Sequence, residues 1–201
     1  MKFIGITGGV GAGKSALLEY IRKHYLCRIY LADEVAHLVK QKGTDCYEKL
    51  VECLGPDVLD EDGEIDKKKM AAKIFSDDAL LKKVNSLIHP AVKEYLLEQL
   101  RISKSEKDVE LFFVEAALLI ETGYKALVDE MWYIYADENV RRDRLMKSRG
   151  YTSDKVDSIM KQQLSEEKFR EAADFVIDNS SNLEDAYHQI DKKLEAYTWR
   201  E

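Results

Sequence analysis

The chain has 201 residues, of which 45% are hydrophobic and 34% charged, and a formal net charge of −7. This length suits one domain, and the composition suits a buried core under a charged surface. The acidic balance argues against a duplex nucleic acid partner, which usually calls for a basic face. No apolar run approaches the roughly 20 residues of a membrane span, and the N-terminal MKFIGITGG lacks the apolar region of a secretion signal. We therefore expect a cytoplasmic protein with no membrane partner.

Five short apolar segments alternate with helical ones along the chain. The predicted strands are KFIGIT, CRIYLA, VELFFV, EMWYIYA and ADFVID. The third is apolar throughout, which is typical of a strand buried on both faces. Strands that alternate with helices favour a parallel sheet. The sequence thus predicts an α/β fold of the phosphate-loop type, a five-stranded parallel sheet flanked by helices.

The stretch from residue 43 to residue 103 contains no strand pattern. It is predicted to form several helices, separated by the turn GPDVLDEDGEID and by His89-Pro90. The final helix is expected to begin with a capping box formed by Ser181 and Glu184. Three cysteines without C-x-x-C spacing (Cys27, Cys46 and Cys53) are interpreted as reduced thiols.

The first strand runs into the string Gly8-x-x-x-x-Gly13-Lys14-Ser15, which fits the phosphate-loop pattern. Glycines allow the backbone to approach a phosphate closely, and the start of the next helix adds its positive dipole end. Lys14 supplies a cation for the β- and γ-phosphates, and Ser15 a hydroxyl for Mg²⁺. We therefore predict that the loop binds ATP with Mg²⁺, through Gly8, Gly11, Ala12, Gly13, Lys14, Ser15 and Ala16.

A phosphate loop alone does not separate a kinase from a GTPase switch or a motor. The chain has no N-K-x-D string for reading guanine, and the D-x-x-G spacing at residues 60–63 lies in an acidic turn without a preceding strand. A small-molecule kinase is favoured. Asp33 follows the second strand, at the edge of the sheet where α/β ligands bind, and could take the proton of an acceptor hydroxyl. Position alone does not separate that role from capping the following helix.

The strings TGGVGAGKS, LADEVAH, LIHPAV, EAALLIE and ADFVIDN, in this order and spacing, resemble the dephospho-CoA kinase family. The resemblance implies transfer of the ATP γ-phosphate to the ribose 3′-hydroxyl of dephospho-CoA, the last step of coenzyme A synthesis. It implies one domain in three parts. These are a core (about 1–42, 104–136 and 165–201), a helical acceptor-binding subdomain (about 43–103) and a lid (about 137–164). ATP and dephospho-CoA are the expected partners of a monomer or weak homo-oligomer.

The resemblance also suggests roles for single residues on the acceptor side. Asp33 matches the family's base, and His37 lies one helical turn later, on the same face of the predicted helix. His89 belongs to LIHPAV; both histidines are assigned to acceptor binding, although either could be purely structural. Glu115 follows the third strand, where it could hold Mg²⁺ or complement a helix dipole.

The cation-rich segment DENVRRDRLMKSRG would, on its own, be interpreted as a solvated helix face. The resemblance instead implies a lid whose arginines close over the ATP phosphates. Arg144 matches best and is assigned to catalysis and ATP binding, with Arg149 as the second arginine. Asn179 lies in the loop that resembles the adenine-binding edge.

Three positions depart from the family pattern, namely Leu31, Ala117 and Ser148. Leu31 stands where a second aspartate is common, so Asp33 is expected to act alone. Ser148 stands at the place of a lid arginine, which leaves open whether Arg149 reaches the phosphates. Two alternatives also stay open, a kinase for a nucleoside or nucleotide and a non-catalytic nucleotide-binding switch.

Overall fold

The computed structural model describes residues 1–75, 77–106 and 108–197. Its five strands are β1 (Lys2–Thr7), β2 (Cys27–Leu31), β3 (Leu111–Glu115), β4 (Glu130–Tyr135) and β5 (Phe175–Asp178). They form one sheet in the order β2-β3-β1-β4-β5, and β1 pairs in parallel with β3 and with β4, as β4 does with β5. The predicted α/β fold with a five-stranded parallel sheet is confirmed.

The central strands are buried on both faces of the sheet. Phe112 and Phe113 are both fully buried although neighbouring side chains on a strand point to opposite faces. Phe113 packs edge-on against Trp132, with ring centroids 5.8 Å apart. The register pairs Ile6 with Glu115, so the carboxyl end of β3 lies beside the end of β1. This places Glu115 next to the loop that follows β1.

The helices within the described ranges are α1 (Lys14–His24), α2 (Ala32–Leu38), α3 (Asp45–Leu54), α4 (Lys67–Phe75), α5 (Asp78–Ser105), α6 (Glu138–Arg149), α7 (Ser153–Lys161), α8 (Glu166–Ala172) and α9 (Leu183–Leu194). Helices α1 and α9 pack together through the stacked rings of Tyr20 and Tyr187, 3.9 Å apart. Over the part of the chain that the structure describes, none of these helices is long and apolar enough to cross a membrane.

The chain divides into two compact units. The first comprises Met1–Ile29 and Ser103–Glu201, and the second comprises Tyr30–Ile102. The first unit contains most of the sheet, and the second contains α2, α3, α4 and nearly all of α5. The acceptor-binding subdomain and the lid stay predictions.

Two local predictions were wrong. Helix α5 continues through Pro90, where a break was expected. Proline removes one N–H donor, and a buried apolar stripe at four-residue spacing stabilises a single helix on both sides of it. The stripe consists of Val84, Ile88, Val92, Leu96 and Leu100. Helix α9 is capped by Asn182, whose side chain accepts a hydrogen bond from the Asp185 N–H at 2.8 Å, and not by a Ser181–Glu184 box.

Candidate active site

The loop between β1 and α1 adopts a backbone with positive φ at three glycines, Gly8, Gly11 and Gly13. Gly8 has φ 152°, and a Cβ there would lie 2.5 Å from the backbone oxygen of Ile134 in β4. Gly13 has φ 90° and ψ 20°, in the left-handed region, and is the N-cap of α1. Gly13 makes no side-chain hydrogen bond to the start of α1, where the positive end of the helix dipole favours an anion.

Lys14 and Glu115 face each other beside this loop. The Lys14 ammonium donates a hydrogen bond to the Gly8 carbonyl at 2.8 Å and lies 3.6 Å from a Glu115 carboxylate oxygen. The two side chains are only 15% and 17% exposed. Charges that are partly shielded from water act more strongly on a nearby ligand than exposed ones. The arrangement thus offers one cation to a phosphate and one carboxylate to a metal ion.

Asn179 and Arg144 contact the same loop from the other side. Asn179, fully buried just after β5, donates from its side-chain nitrogen to the Ala12 carbonyl at 2.8 Å. Arg144 of α6 donates to the Asn179 carbonyl at 2.9 Å and to the Ala12 carbonyl at 3.5 Å. Arg144 and Asn179, which lie far apart in the sequence and were both predicted to bind ATP, therefore meet at the loop. Arg149, by contrast, is exposed at the last position of α6.

The sequence did not assign two further residues that contact the loop. Arg141 donates from Nε to the Val10 carbonyl at 3.0 Å. Gln163 accepts hydrogen bonds through Oε1 from the Val10 N–H at 3.3 Å and from Arg141 at 2.6 Å. Arg141 was visible as one cation among several, one helical turn before Arg144, but nothing in the sequence distinguished it. No motif or spacing in the sequence pointed to Gln163.

The residues predicted to bind the acceptor lie in the second unit. Asp33 and His37 are exposed and lie four residues apart on α2, so they share one face of that helix. The N-cap of α2 is Leu31, whose apolar side chain cannot accept a hydrogen bond, so Asp33 is not the cap. His89 is exposed on α5, next to Pro90.

The donor set beside the loop fits Mg²⁺. In the described ranges, His, Cys, Asp and Glu side chains form no group of three that could cage a metal ion by themselves. Mg²⁺ does not need such a cage, since it usually keeps several waters and binds one or two carboxylates together with substrate phosphates. The Ser15 hydroxyl and the Glu115 carboxylate are ligands of that kind.

Comparison with known proteins identifies the family. The dephospho-CoA kinase family model matches residues 2–185. The chain belongs to the dephospho-CoA kinase family. A dephospho-CoA kinase of Aquifex aeolicus is 35% identical to it over 98% of both chains. A crystal structure from Thermus thermophilus superposes with a TM-score of 0.80 at 29% identity, covering 98% of each chain. A dephospho-CoA kinase from Campylobacter jejuni, 22% identical, has the same fold, with a TM-score of 0.72 over 97% of this chain and 96% of that one.

Membership of the dephospho-CoA kinase family makes this chain an ATP-dependent phosphotransferase of coenzyme A biosynthesis. The predicted family and enzyme class are confirmed, which decides against the non-catalytic switch. Two departures from the family pattern lie near the loop. The Ala117 carbonyl accepts a hydrogen bond from Thr7 at 3.5 Å, and the Ser148 hydroxyl donates to the Arg144 carbonyl at 2.6 Å.

Proposed function

We propose that this chain uses Lys14, Arg144 and Asp33 to transfer the ATP γ-phosphate to the ribose 3′-hydroxyl of dephospho-CoA. The observation that carries the proposal is the Lys14 ammonium held between the Gly8 carbonyl and Glu115 in a member of the dephospho-CoA kinase family. Phosphoryl transfer needs little covalent help from the protein. It depends on positioning and on charge neutralisation at the phosphate oxygens.

At the nucleotide end, the loop from Gly8 to Ala16 supplies N–H groups and Lys14 supplies a cation for the phosphates. Arg144 has guanidinium N–H groups beyond those that bond the Asn179 and Ala12 carbonyls. They can reach a phosphate while the guanidinium stays anchored. We place Arg149 in the same lid, as a second contact to ATP, and Asn179 at the edge that receives the nucleotide base.

At the acceptor end, Asp33 takes the proton of the 3′-hydroxyl as its oxygen bonds to the γ-phosphorus, while the bond from that phosphorus to the bridging oxygen breaks and ADP leaves. Its exposed carboxylate on α2 is accessible to a substrate. His37, one turn later on the same face, and His89 on α5 contact the acceptor and orient it. This orientation contributes to the rate because a correctly held hydroxyl reacts as if it were present at very high concentration.

Ser15 and Glu115 would hold Mg²⁺. When bound, the ion neutralises charge on the β- and γ-phosphate oxygens. The Glu115 carboxylate is kept in place beforehand by the Lys14 ammonium 3.6 Å away. The state of a monomer or weak homo-oligomer and a cytoplasmic location stay predictions, as does the absence of nucleic acid and membrane partners.

The test is ADP release from Mg-ATP with dephospho-CoA, adenosine, cytidine monophosphate or shikimate as the acceptor. We expect turnover with dephospho-CoA alone and a product that has gained a 3′-phosphate. Preferred turnover of the nucleoside or nucleotide would favour a kinase for that acceptor. ATP binding without acceptor-dependent ADP release would contradict the proposal.

A further inference from the structure

A cavity of about 260 Å³ lies in the second unit, between the end of α2 and α4. The residues that line it include the apolar Met70 and Ile74 and the polar His37, Lys40 and Lys67. Lys40 is half-buried and Lys67 is exposed. The lining of the cavity thus combines apolar residues with two lysines.

The lining of the cavity carries a net positive charge, because the two lysines, Lys40 and Lys67, outnumber its one acid, Glu64. Among the residues that the structure describes, neither forms an ion pair with a carboxylate. The acid that lines the cavity, Glu64, accepts a hydrogen bond from the Lys42 N–H at 3.1 Å. Burial, and next the nearby Lys67 ammonium, lower the pKa of Lys40, while Cys46 and Asp33 act in the opposite direction. Holding two cations together in this way costs free energy, which an anionic ligand would recover.

We propose that this cavity binds the diphosphate of the acceptor, with Lys40 and Lys67 as its ligands. The inference rests on the proposed function, because dephospho-CoA carries a 5′-diphosphate on the ribose whose 3′-hydroxyl reacts. Asp33 and His37 lie on one face of α2, about 6 Å apart along the helix axis. His37 also lines the cavity, so the cavity begins about one helical turn from Asp33. Asp33 and the cavity therefore receive opposite edges of one acceptor.

The same chemistry could come from a second source, since ATP also carries phosphates. The two sources differ in which Michaelis constant depends on the lysines. If the cavity binds the diphosphate of the acceptor, the KM for dephospho-CoA depends on Lys40 and Lys67. If the cavity binds a phosphate of ATP, the KM for ATP depends on these two lysines.

The experiment compares Lys40→Met and Lys67→Met with the matched control Lys68→Met. Lys68 is also exposed in the first turn of α4 but does not line the cavity. We expect each cavity variant to lower kcat/KM for dephospho-CoA about 10- to 100-fold, the range for loss of a hydrogen bond to a charged group. The KM for ATP stays unchanged, Lys67→Arg retains most of the activity, and Lys68→Met behaves as the wild type.

Adenosine tests whether the two lysines act on the diphosphate, because it carries the same 3′-hydroxyl but no phosphates. Each variant should bind adenosine with the same Kd as the wild type in calorimetry. An equal loss of affinity for adenosine, a raised KM for ATP, or an unchanged KM for dephospho-CoA would each overturn the proposal while the kinase activity stands. A wild type that does not use dephospho-CoA at all would instead refute the proposed function, and this inference with it.

The melting temperature of Lys40→Met provides a further check. A lysine whose role is structural stabilises the fold, so its removal lowers the melting temperature. We expect Lys40→Met to melt at the same temperature as the wild type or higher, since the substitution removes a half-buried charge without a carboxylate partner. A clear drop would contradict the role in binding.

Discussion

Replacing Gly13 by alanine tests whether the loop is held by the Asn179 side chain. A Cβ on Gly13 would lie 2.3 Å from the Asn179 side-chain nitrogen, which donates to the Ala12 carbonyl. Asn179 is fully buried, so its amide cannot swing into solvent. The substitution therefore has two costs, the left-handed backbone of an L-residue and the loss of a buried hydrogen bond.

Gly123 is the matched control. It lies in the same unit, has φ 76° and ψ 21° against 90° and 20° at Gly13, and, among the described residues, has no atom within 4 Å of its Cβ position. Gly123→Ala should lower the free energy of unfolding by about 1 to 2 kcal/mol, the cost of the left-handed conformation alone. Gly13→Ala should cost about 1 to 3 kcal/mol more, because a buried polar group loses its partner.

The assay is unfolding in urea, combined with the Kd for ATP measured by calorimetry. We expect Gly13→Ala to weaken ATP binding and Gly123→Ala to leave it unchanged. In an Asn179→Ala background the additional cost of Gly13→Ala should disappear, since the clashing amide is gone. Equal destabilisation by the two glycine variants, or purely additive effects of Gly13→Ala and Asn179→Ala, would refute this reasoning.

Three further predictions concern the reaction and the acid stability. Lys14→Ala should reduce kcat by about 10²- to 10³-fold, since it deletes a cation at the phosphates; near-normal turnover would contradict its role. Asp33→Asn should leave the Kd for ATP unchanged and lower kcat by about 10²-fold, and turnover equal to wild type would exclude Asp33 as the base. Burial raises the pKa of Glu130, but the hydrogen bonds that it accepts, first of all from Tyr197, lower the pKa by more. The pKa of Glu130 therefore lies below its usual value. The contribution of this carboxylate to stability is fully present above the usual Glu pKa of about 4.3, and it is lost as the pH falls through the lowered pKa. The melting temperature of Glu130→Gln should therefore lie below that of wild type at pH 7, with the gap closing towards pH 3.

The strands and the phosphate loop were predictable from the sequence because their signals are local. A continuous apolar run such as VELFFV can be stable only when both faces are buried, and Phe112 and Phe113 are both buried. Gly8 and Gly13 lie between a strand and a helix, where only glycine fits the backbone that results. These inferences need no knowledge of distant parts of the chain.

Where a local signal competed with packing, the sequence was a weaker guide. Proline at residue 90 predicts a break in a helix, but the apolar stripe of α5 continues on both sides of it and stabilises one long helix. The cap of α9 was misplaced by one residue because Ser181 and Asn182 are both good caps. In the structure it is the Asn182 side chain that accepts a hydrogen bond from the first-turn Asp185 N–H.

The sheet and the phosphate loop could be predicted from the sequence alone, because strand patterns and glycine spacing are read within a few residues, and the family followed from the resemblance of five strings spread along the chain. Only the tertiary structure showed that Arg141 and Gln163 bind the Val10 peptide group, contacts that span more than a hundred residues. Only it brought Lys40 and Lys67 to one cavity wall. Helical spacing places a side chain on a face of its own helix, whereas the neighbour across that face depends on how separate elements pack.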